Sequence, residues 1–300
     1  MKLCRYDNAR YGVVREGRIY DVTDHVHAAV GAAPASPTGD LVIANLAVIV
    51  ASIEGATLPA ESIAVKDARF LSPVVSPTKI VCAPVNYQAH IDEAEADSAI
   101  TFNHAVARID KAGLFLKATS ALVGAGEGVA VRFLDRRTDH EIELGVVIGE
   151  YCSDVPEEFA LDVVAGYAIA LDMTVRGTED RSFRKSIDTY AVLGPWLVTK
   201  NEIADPDNLD FALTVNGQPR QKANTRELIF NVRKLISWAS RWYALNPGDI
   251  IMTGTPQGVG PVEPGDVMDC TFESIGAMQV AIRAAAPMSA GSQASGVAAG

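Results

Sequence analysis

Between residues 79 and 253 the chain is a succession of short apolar runs, most of them closed by glycine, proline, asparagine or aspartate. The runs over 79–83, 113–117, 141–148, 163–171, 193–198, 210–215 and 249–253 have the length of strands, and several are too continuously apolar to keep a solvent face. A chain that must cover so many strands on both sides has to build a large, β-dominated core. Asn216-Gly217 predicts a two-residue hairpin. Asn246-Pro247-Gly248-Asp249 and Glu263-Pro264-Gly265-Asp266 are two similar turns, each leading into a strand. One helix is predicted over 230–241, where Val232, Leu235, Ile236 and Ala239 can share a face.

The segment before this is smaller and also β-rich. Strand-like runs over 2–6, 11–14 and 18–22 are separated by turn chemistry at Asp7-Asn8 and Glu16-Gly17. A proline- and alanine-rich loop over 32–40 follows, and Asp40 is placed to cap a helix over 41–54. The proline-punctuated stretch 71–77 marks the boundary between a first domain, 1–75, and a catalytic domain, 76–283. From residue 284 the composition turns to Ala, Gly and Ser, which predicts a disordered tail over 284–300.

A net charge of −11 argues against nucleic acid or an anionic membrane as partner, since both call for a basic surface. It leaves room for an anionic small molecule, because a bound cation reverses the potential inside a pocket. Cys4, Cys82, Cys152 and Cys270 are far apart in sequence, with neither zinc-finger spacing nor the density of a disulfide framework. No run approaches the ~20 apolar residues of a membrane span. A cytoplasmic protein is expected.

Glu141-Ile142-Glu143-Leu144 opens one of the apolar strands. Residues i and i+2 of a strand share a face, so the two glutamates stand about 7 Å apart at the edge of a core. There they would repel each other and resist desolvation, and a hard divalent cation relieves both penalties. A solvated strand end is the plain alternative. Asp172 closes a second apolar run, and a strand-ending aspartate serves equally as a turn or cap residue.

His90 and Glu93 follow the run 79–83. On a helix their i, i+3 spacing lets a carboxylate orient an imidazole as a general base; a surface helix with an incidental histidine fits the same pattern. His25 and His27 have a spacing that suits a metal only on a strand, and His104 lies in a polar stretch. Lys117, Arg176 and Lys185 are cations that, if buried near the carboxylates, could pair with them or bind a substrate carboxylate; each is by default a solvated surface charge. Residues 253–260, with Gly254, Thr255 and Pro256, form a glycine- and threonine-rich loop that can approach an anion closely but lacks the Gly-Lys-Ser/Thr of a P-loop.

Taken together these segments resemble one family. Asn86-Tyr87-x-x-His90-x-x-Glu93, Leu114-Phe115-Leu116-Lys117, Glu141-Ile142-Glu143-Leu144, Asp172-Met173-Thr174-x-Arg176, Lys185-Ser186, Gly194-Pro195-Trp196, Asn216-Gly217, Pro247-Gly248-Asp249 and Thr253-Gly254-Thr255-Pro256-x-Gly258 occur in the order of the fumarylacetoacetate hydrolase (FAH) family, over about residues 79–280. The resemblance implies an α+β, β-dominated fold: a mixed β-sandwich roll behind a smaller N-terminal domain, in a homodimer. It implies Mg2+ or Mn2+, with Ca2+ as an alternative, held by Glu141, Glu143 and Asp172. It implies a His90–Glu93 dyad on a lid, Lys185 supporting charge, the Thr255 loop (with Gly254 and Pro256) holding an oxo acid, and Lys117 and Arg176 near the site. One position departs from the pattern: Gly177 stands where an aspartate is common after the arginine.

The function these expectations describe is metal-dependent hydrolysis of a carbon–carbon bond in a small 1,3-dioxo acid of acylpyruvate or fumarylacetoacetate type, through a metal-bound enolate, as in aromatic catabolism. The same scaffold also supports an alternative, a 2-oxo acid decarboxylase or an isomerase/tautomerase. A metal-stabilised binding protein is a third class, which loss of a ligand or of the dyad would mark.

Overall fold

A computed structural model describes residues 1–31, 39–102 and 106–286. His104, most of the 32–40 loop and residues 287–300 of the expected tail lie outside the described residues.

The centre is a sheet of twelve strands. Its path runs Ile63–Ala64, Arg18–Asp21, Arg10–Arg15, Lys2–Tyr6, Ala191–Thr199, Val164–Asp172, Ile142–Ile148, Ile250–Met252, Ile80–Cys82 and Phe115–Lys117. Two short strands attach beside it, Phe70–Leu71 to Lys2–Tyr6 and Leu122–Val123 to Ala191–Thr199. The strands of the first segment therefore extend the main sheet, with Lys2 opposite Val198 and Leu3 opposite Leu197. A five-stranded sheet (Gln218–Asn224, Asp210–Val215, Val267–Phe272, Gly276–Ala284, Val129–Val131) and a three-stranded one (Thr174–Val175, Thr138–His140, Gly260–Pro261) complete the β architecture. The Asn216-Gly217 hairpin forms, with positive φ of 51° and 75° at its two residues, as a twist-compatible tight turn requires.

Alternation along the central strands sorts side chains into two cores. Leu144, Val146 and Ile148, with Ile169 and Leu171, face the five-stranded sheet and the buried side of the helix Val232–Trp242. Val147, Ala168, Ala170, Leu193 and Met252 face the opposite way. There they pack beneath Val26, Ile43, Leu46, Ile49 and Ile53 of the first-segment helices. Ala94, Ile100 and Val259 make a small separate cluster under the helix Gln88–Ala96.

Four local expectations change. His25 and His27 lie on the helix Thr23–Gly31, not on a strand, so their i, i+2 spacing sends them apart, and His25 Nδ1 meets Ser52 Oγ at 2.8 Å. The helix capped by Asp40 breaks at Asn45 into Leu41–Ala44 and Leu46–Glu54, where the Asn45 amide turns back to Leu41 O at 2.8 Å. The run 113–117 is strand only over Phe115–Lys117; a short helix, Ile109–Ala112, precedes it and ends at Gly113 with φ 71°. Ala284, expected to begin the tail, is still strand, paired with Val131.

Candidate metal centre and active site

Strand direction decides which ends meet. Ile80–Cys82 and Ile250–Met252 are parallel, so the loops after both leave at the same end of the sheet. Ile142–Ile148 runs antiparallel to Ile250–Met252, and Val164–Asp172 antiparallel to Ile142–Ile148. The start of one and the finish of the other therefore arrive at that same end. Leu171 pairs with Ile142, and Asp172 N–H donates to Glu141 O at 2.9 Å. Glu141, Glu143 and Asp172 come together there, each offering an oxygen within 4.8 Å of the others'. Their residues are 4%, 1% and 1% exposed, which removes the solvated-strand-end alternative.

Three cations compensate part of this charge, and a fourth braces the neighbouring Asp139. Lys185 Nζ bridges Glu141 Oε2 at 2.6 Å and Asp172 Oδ2 at 2.7 Å, while Lys117 Nζ donates to Asp172 Oδ1. Arg176 donates to Glu141 Oε1 at 2.9 Å and to Asp139 Oδ2 at 2.8 Å. Arg137 holds the other oxygen of Asp139 at 2.7 Å. Lys117, Arg176 and Lys185 are thus buried ion-pair partners, not surface charges. The compensation is uneven. Burial works against ionisation of Glu141, but Lys185 and Arg176 outweigh it and hold its carboxyl well below the usual range. Burial and then Asp172 push Glu143 the other way, well above the usual range; Lys185 offsets only part of this. Burial opposes charge on Lys185 too, yet Asp172 and Glu141 raise its ammonium above the ordinary value.

Among the described residues Glu143 has one hydrogen-bond donor, the Gly254 N–H, at 2.7 Å. A buried carboxylate with so little protein compensation, between two others, fits a divalent cation, and an all-oxygen donor set suits a hard one. Gly254 needs its φ of 99°, and a Cβ there would lie 2.7 Å from Asn86 Cβ. The loop is fixed further by Thr255, whose hydroxyl donates to Ile142 O at 2.9 Å and accepts from Gln221 at 2.8 Å.

His90 and Glu93 sit on the helix Gln88–Ala96. His90 Nδ1 lies 2.9 Å from Glu93 Oε2, and Glu93 Oε1 accepts from Gly258 N–H at 2.8 Å. The carboxylate thereby ties this helix to the Thr255 loop. His90, Glu141, Glu143, Arg176, Lys185 and Thr255 line a single cavity of about 720 Å³. His90 is the one imidazole in this group, the side-chain type suited to pass protons to and from a substrate or water.

The sequence did not single out Asp139, which is fully buried and joins Arg137 to Arg176. Its i, i+2 spacing from Glu141 was the available signal; it lies on the strand Thr138–His140, just before Glu141. Nor did it single out Asn86, whose amide bonds Thr253 O and Phe230 O, each at 2.8 Å, or Arg181, which lines the cavity. A Cβ at Gly177 would meet Arg136 Nη2 at 2.0 Å and Glu179 Oε2 at 2.3 Å. Gly177 thus lies beside a partly exposed ion pair, Arg136–Glu179, whose flexible side-chain ends could shift to admit a side chain.

Residues 79–283 match the family model described as fumarylacetoacetate (FAA) hydrolase C-terminal. The chain is 51% identical over 287 residues to a maleylpyruvate hydrolase of Aquipseudomonas alcaligenes, a match that covers 94% of this chain and 99% of the relative. Among solved structures, a maleylpyruvate hydrolase from Sphingobium sp. SYK-6 superposes with a TM-score of 0.78 at 38% identity, over 95% of this chain and 100% of the other. A second crystal structure of that Sphingobium protein, in complex with manganese (II) ion and pyruvate, gives a TM-score of 0.76 at 38% identity over 95% and 99% of the two chains.

Proposed function

The chain belongs to the fumarylacetoacetate hydrolase family, and from that premise we propose that it is a divalent-metal-dependent hydrolase that breaks a carbon–carbon bond of an acylpyruvate. One observation carries the reading: three buried carboxylates lie within 4.8 Å of one another, and two of them, Glu141 and Glu143, line a cavity together with a carboxylate-oriented histidine. The 51% identical relative named for maleylpyruvate hydrolysis supports it, as does the similar structure holding manganese and pyruvate.

Glu141, Glu143 and Asp172 would hold the ion. When bound, Mg2+ or Mn2+ supplies a double positive charge that draws electron density from the 2-oxo acid end of the substrate. The remaining steps fall to the protein. Glu93 accepts a hydrogen bond from His90 Nδ1–H, which leaves Nε2 as the basic nitrogen. His90 takes a proton from water as the water adds to the distal carbonyl carbon. The bond between that carbon and the methylene then breaks, and its electron pair leaves with the pyruvate fragment. The proton taken from water returns to the methylene carbon, which becomes the methyl of pyruvate, and the acyl fragment departs as a carboxylic acid. Lys185, paired with Glu141 and Asp172, supports the negative charge on the departing fragment. The Thr255 loop and Arg176 complete the wall that orients the oxo acid.

The test is to incubate the protein with manganese and a panel of acylpyruvates, oxaloacetate and dienedioates, and to identify the products. Pyruvate plus a carboxylic acid in equal amounts is the expected result. Carbon dioxide or an isomerised product in its place would move the assignment to a decarboxylase or isomerase.

The assembly is proposed to be a homodimer in the cytoplasm. Phe133 and Phe183 line one shallow surface depression and are 39% and 73% exposed, with Leu134 beside them at 66%, an apolar area that suits burial against a second copy. Four free cysteines suit a reducing compartment. No helix among the described residues is long and apolar enough to cross a membrane. Sedimentation at micromolar concentration checks the dimer.

A further inference from the structure

Five cations border the cavity or its floor, and four have protein partners. Lys117 and Lys185 pair with Asp172 and Glu141, and Arg176 with Glu141 and Asp139. Arg184 donates to Glu179 O at 2.9 Å and to Val175 O at 3.0 Å. Arg181 is different: it lines the cavity, yet it makes no hydrogen bond or ion pair among the described residues. Its guanidinium lies 5.6 Å from the Phe115 ring centre, and the Lys185 ammonium lies 5.4 Å from the same ring.

Both belong to the short helix Arg181–Lys185, at i and i+4, so they share a side of it about 6 Å apart along its axis. Lys185 stands at the carboxylate cluster, which is the 2-oxo acid end of the cavity. Arg181 stands one helical turn further out, where the acyl end of a bound acylpyruvate would lie. A guanidinium presents a planar fork of N–H donors that matches a carboxylate bidentately, and without a partner its partial burial is a cost. Burial depresses its basicity; Glu141, Asp172 and the adjacent Asp180 oppose this only in part.

We propose that Arg181 is a specificity-determining residue that receives a second, terminal carboxylate of the substrate, so that the preferred substrates are acylpyruvates whose acyl group itself ends in a carboxylate. This rests on the acylpyruvate hydrolase reading. Phe115 supplies an apolar wall against which the carbon chain between the two charged ends lies.

The experiment compares wild type with Arg181→Met and Arg181→Lys in the presence of manganese. Two substrates are used: an acylpyruvate with a terminal carboxylate, and acetylpyruvate, which has none. Expected is a fall of at least about tenfold in the ratio of the two kcat/KM values for Arg181→Met, carried by KM for the dicarboxylate, with partial recovery in Arg181→Lys. A ratio within twofold of wild type, or a loss confined to kcat, overturns the proposal. Wild type that hydrolyses neither substrate would instead sink the hydrolase reading. In that case calorimetric binding of maleate still decides the role of Arg181: weaker binding to Arg181→Met supports it, and equal binding overturns it.

Discussion

In the protein alone, Glu143 is a carboxyl group that burial and its neighbour Asp172 keep protonated above the ordinary carboxylate value of 4.5. The unfolded chain releases that proton near the ordinary value. Between the two values the folded state therefore binds more protons than the unfolded state, and metal-free stability falls as pH rises through this window. A divalent ion takes the proton's place. Manganese should release a proton on binding, and the rise in Tm over a chelator-treated sample should be larger at about pH 8 than at about pH 6; at a hundred times Kd the ion would contribute about 2.7 kcal/mol. Equal rises at both pH values would mean that Glu143 is not the titrating ligand. Glu143→Gln keeps an acceptor for the Gly254 N–H and removes the uncompensated charge. Expected is a metal-free Tm at or above that of wild type and no response to manganese, read by differential scanning calorimetry. His90→Ala removes the base without touching the carboxylates, so hydrolysis should fall roughly 10²–10⁴-fold while manganese affinity stays within a few-fold. Unimpaired turnover would end the dyad assignment. At this scale much was written in the chain: i, i+2 on a strand and i, i+3 on a helix are enough to put Glu141 beside Glu143 and His90 beside Glu93. The counter-ions were not. Lys117 and Asp172 are 55 residues apart and meet only through strand register, which no local pattern encodes.

The loop after Ile250–Met252 is positioned by backbone geometry as much as by its side chains. Gly254 points its N–H at Glu143 only in a conformation with φ 99°, with Asn86 packed against its α-carbon. Gly254→Ala should cost about 1–3 kcal/mol from backbone strain and also weaken metal binding, because the donor that fixes Glu143 moves with the loop. Isothermal titration with manganese and a denaturant melt separate the two effects; full metal affinity in a destabilised variant would show that the loop does not position the ligand. Elements were legible where one face or one run was uniformly apolar, as in Asp210–Val215 and the helix Val232–Trp242. They were misread where a polar side chain competes with backbone pairing, as at Asn45, or where a glycine ends one short element and starts another, as at Gly113.

Across the whole molecule, the carboxylate trio and His90 are anchored in different parts of the structure. Glu143 and Asp172 sit on neighbouring central strands of a twelve-stranded sheet covered on both faces. That the first segment would add its strands to this sheet could not be read from its sequence, since strands that pair within a small domain and strands that extend a larger sheet alternate in the same way. The helix Gln88–Ala96 rests on its own small cluster, tied to the Thr255 loop through Glu93 and Gly258. Amides in the central strands should exchange with deuterium only on global unfolding, and those of this helix far sooner. The two halves of the chemistry then have separate melting points. Gentle warming would give a protein that still grips its manganese but has let its imidazole swing away, inert and yet fully recoverable on cooling.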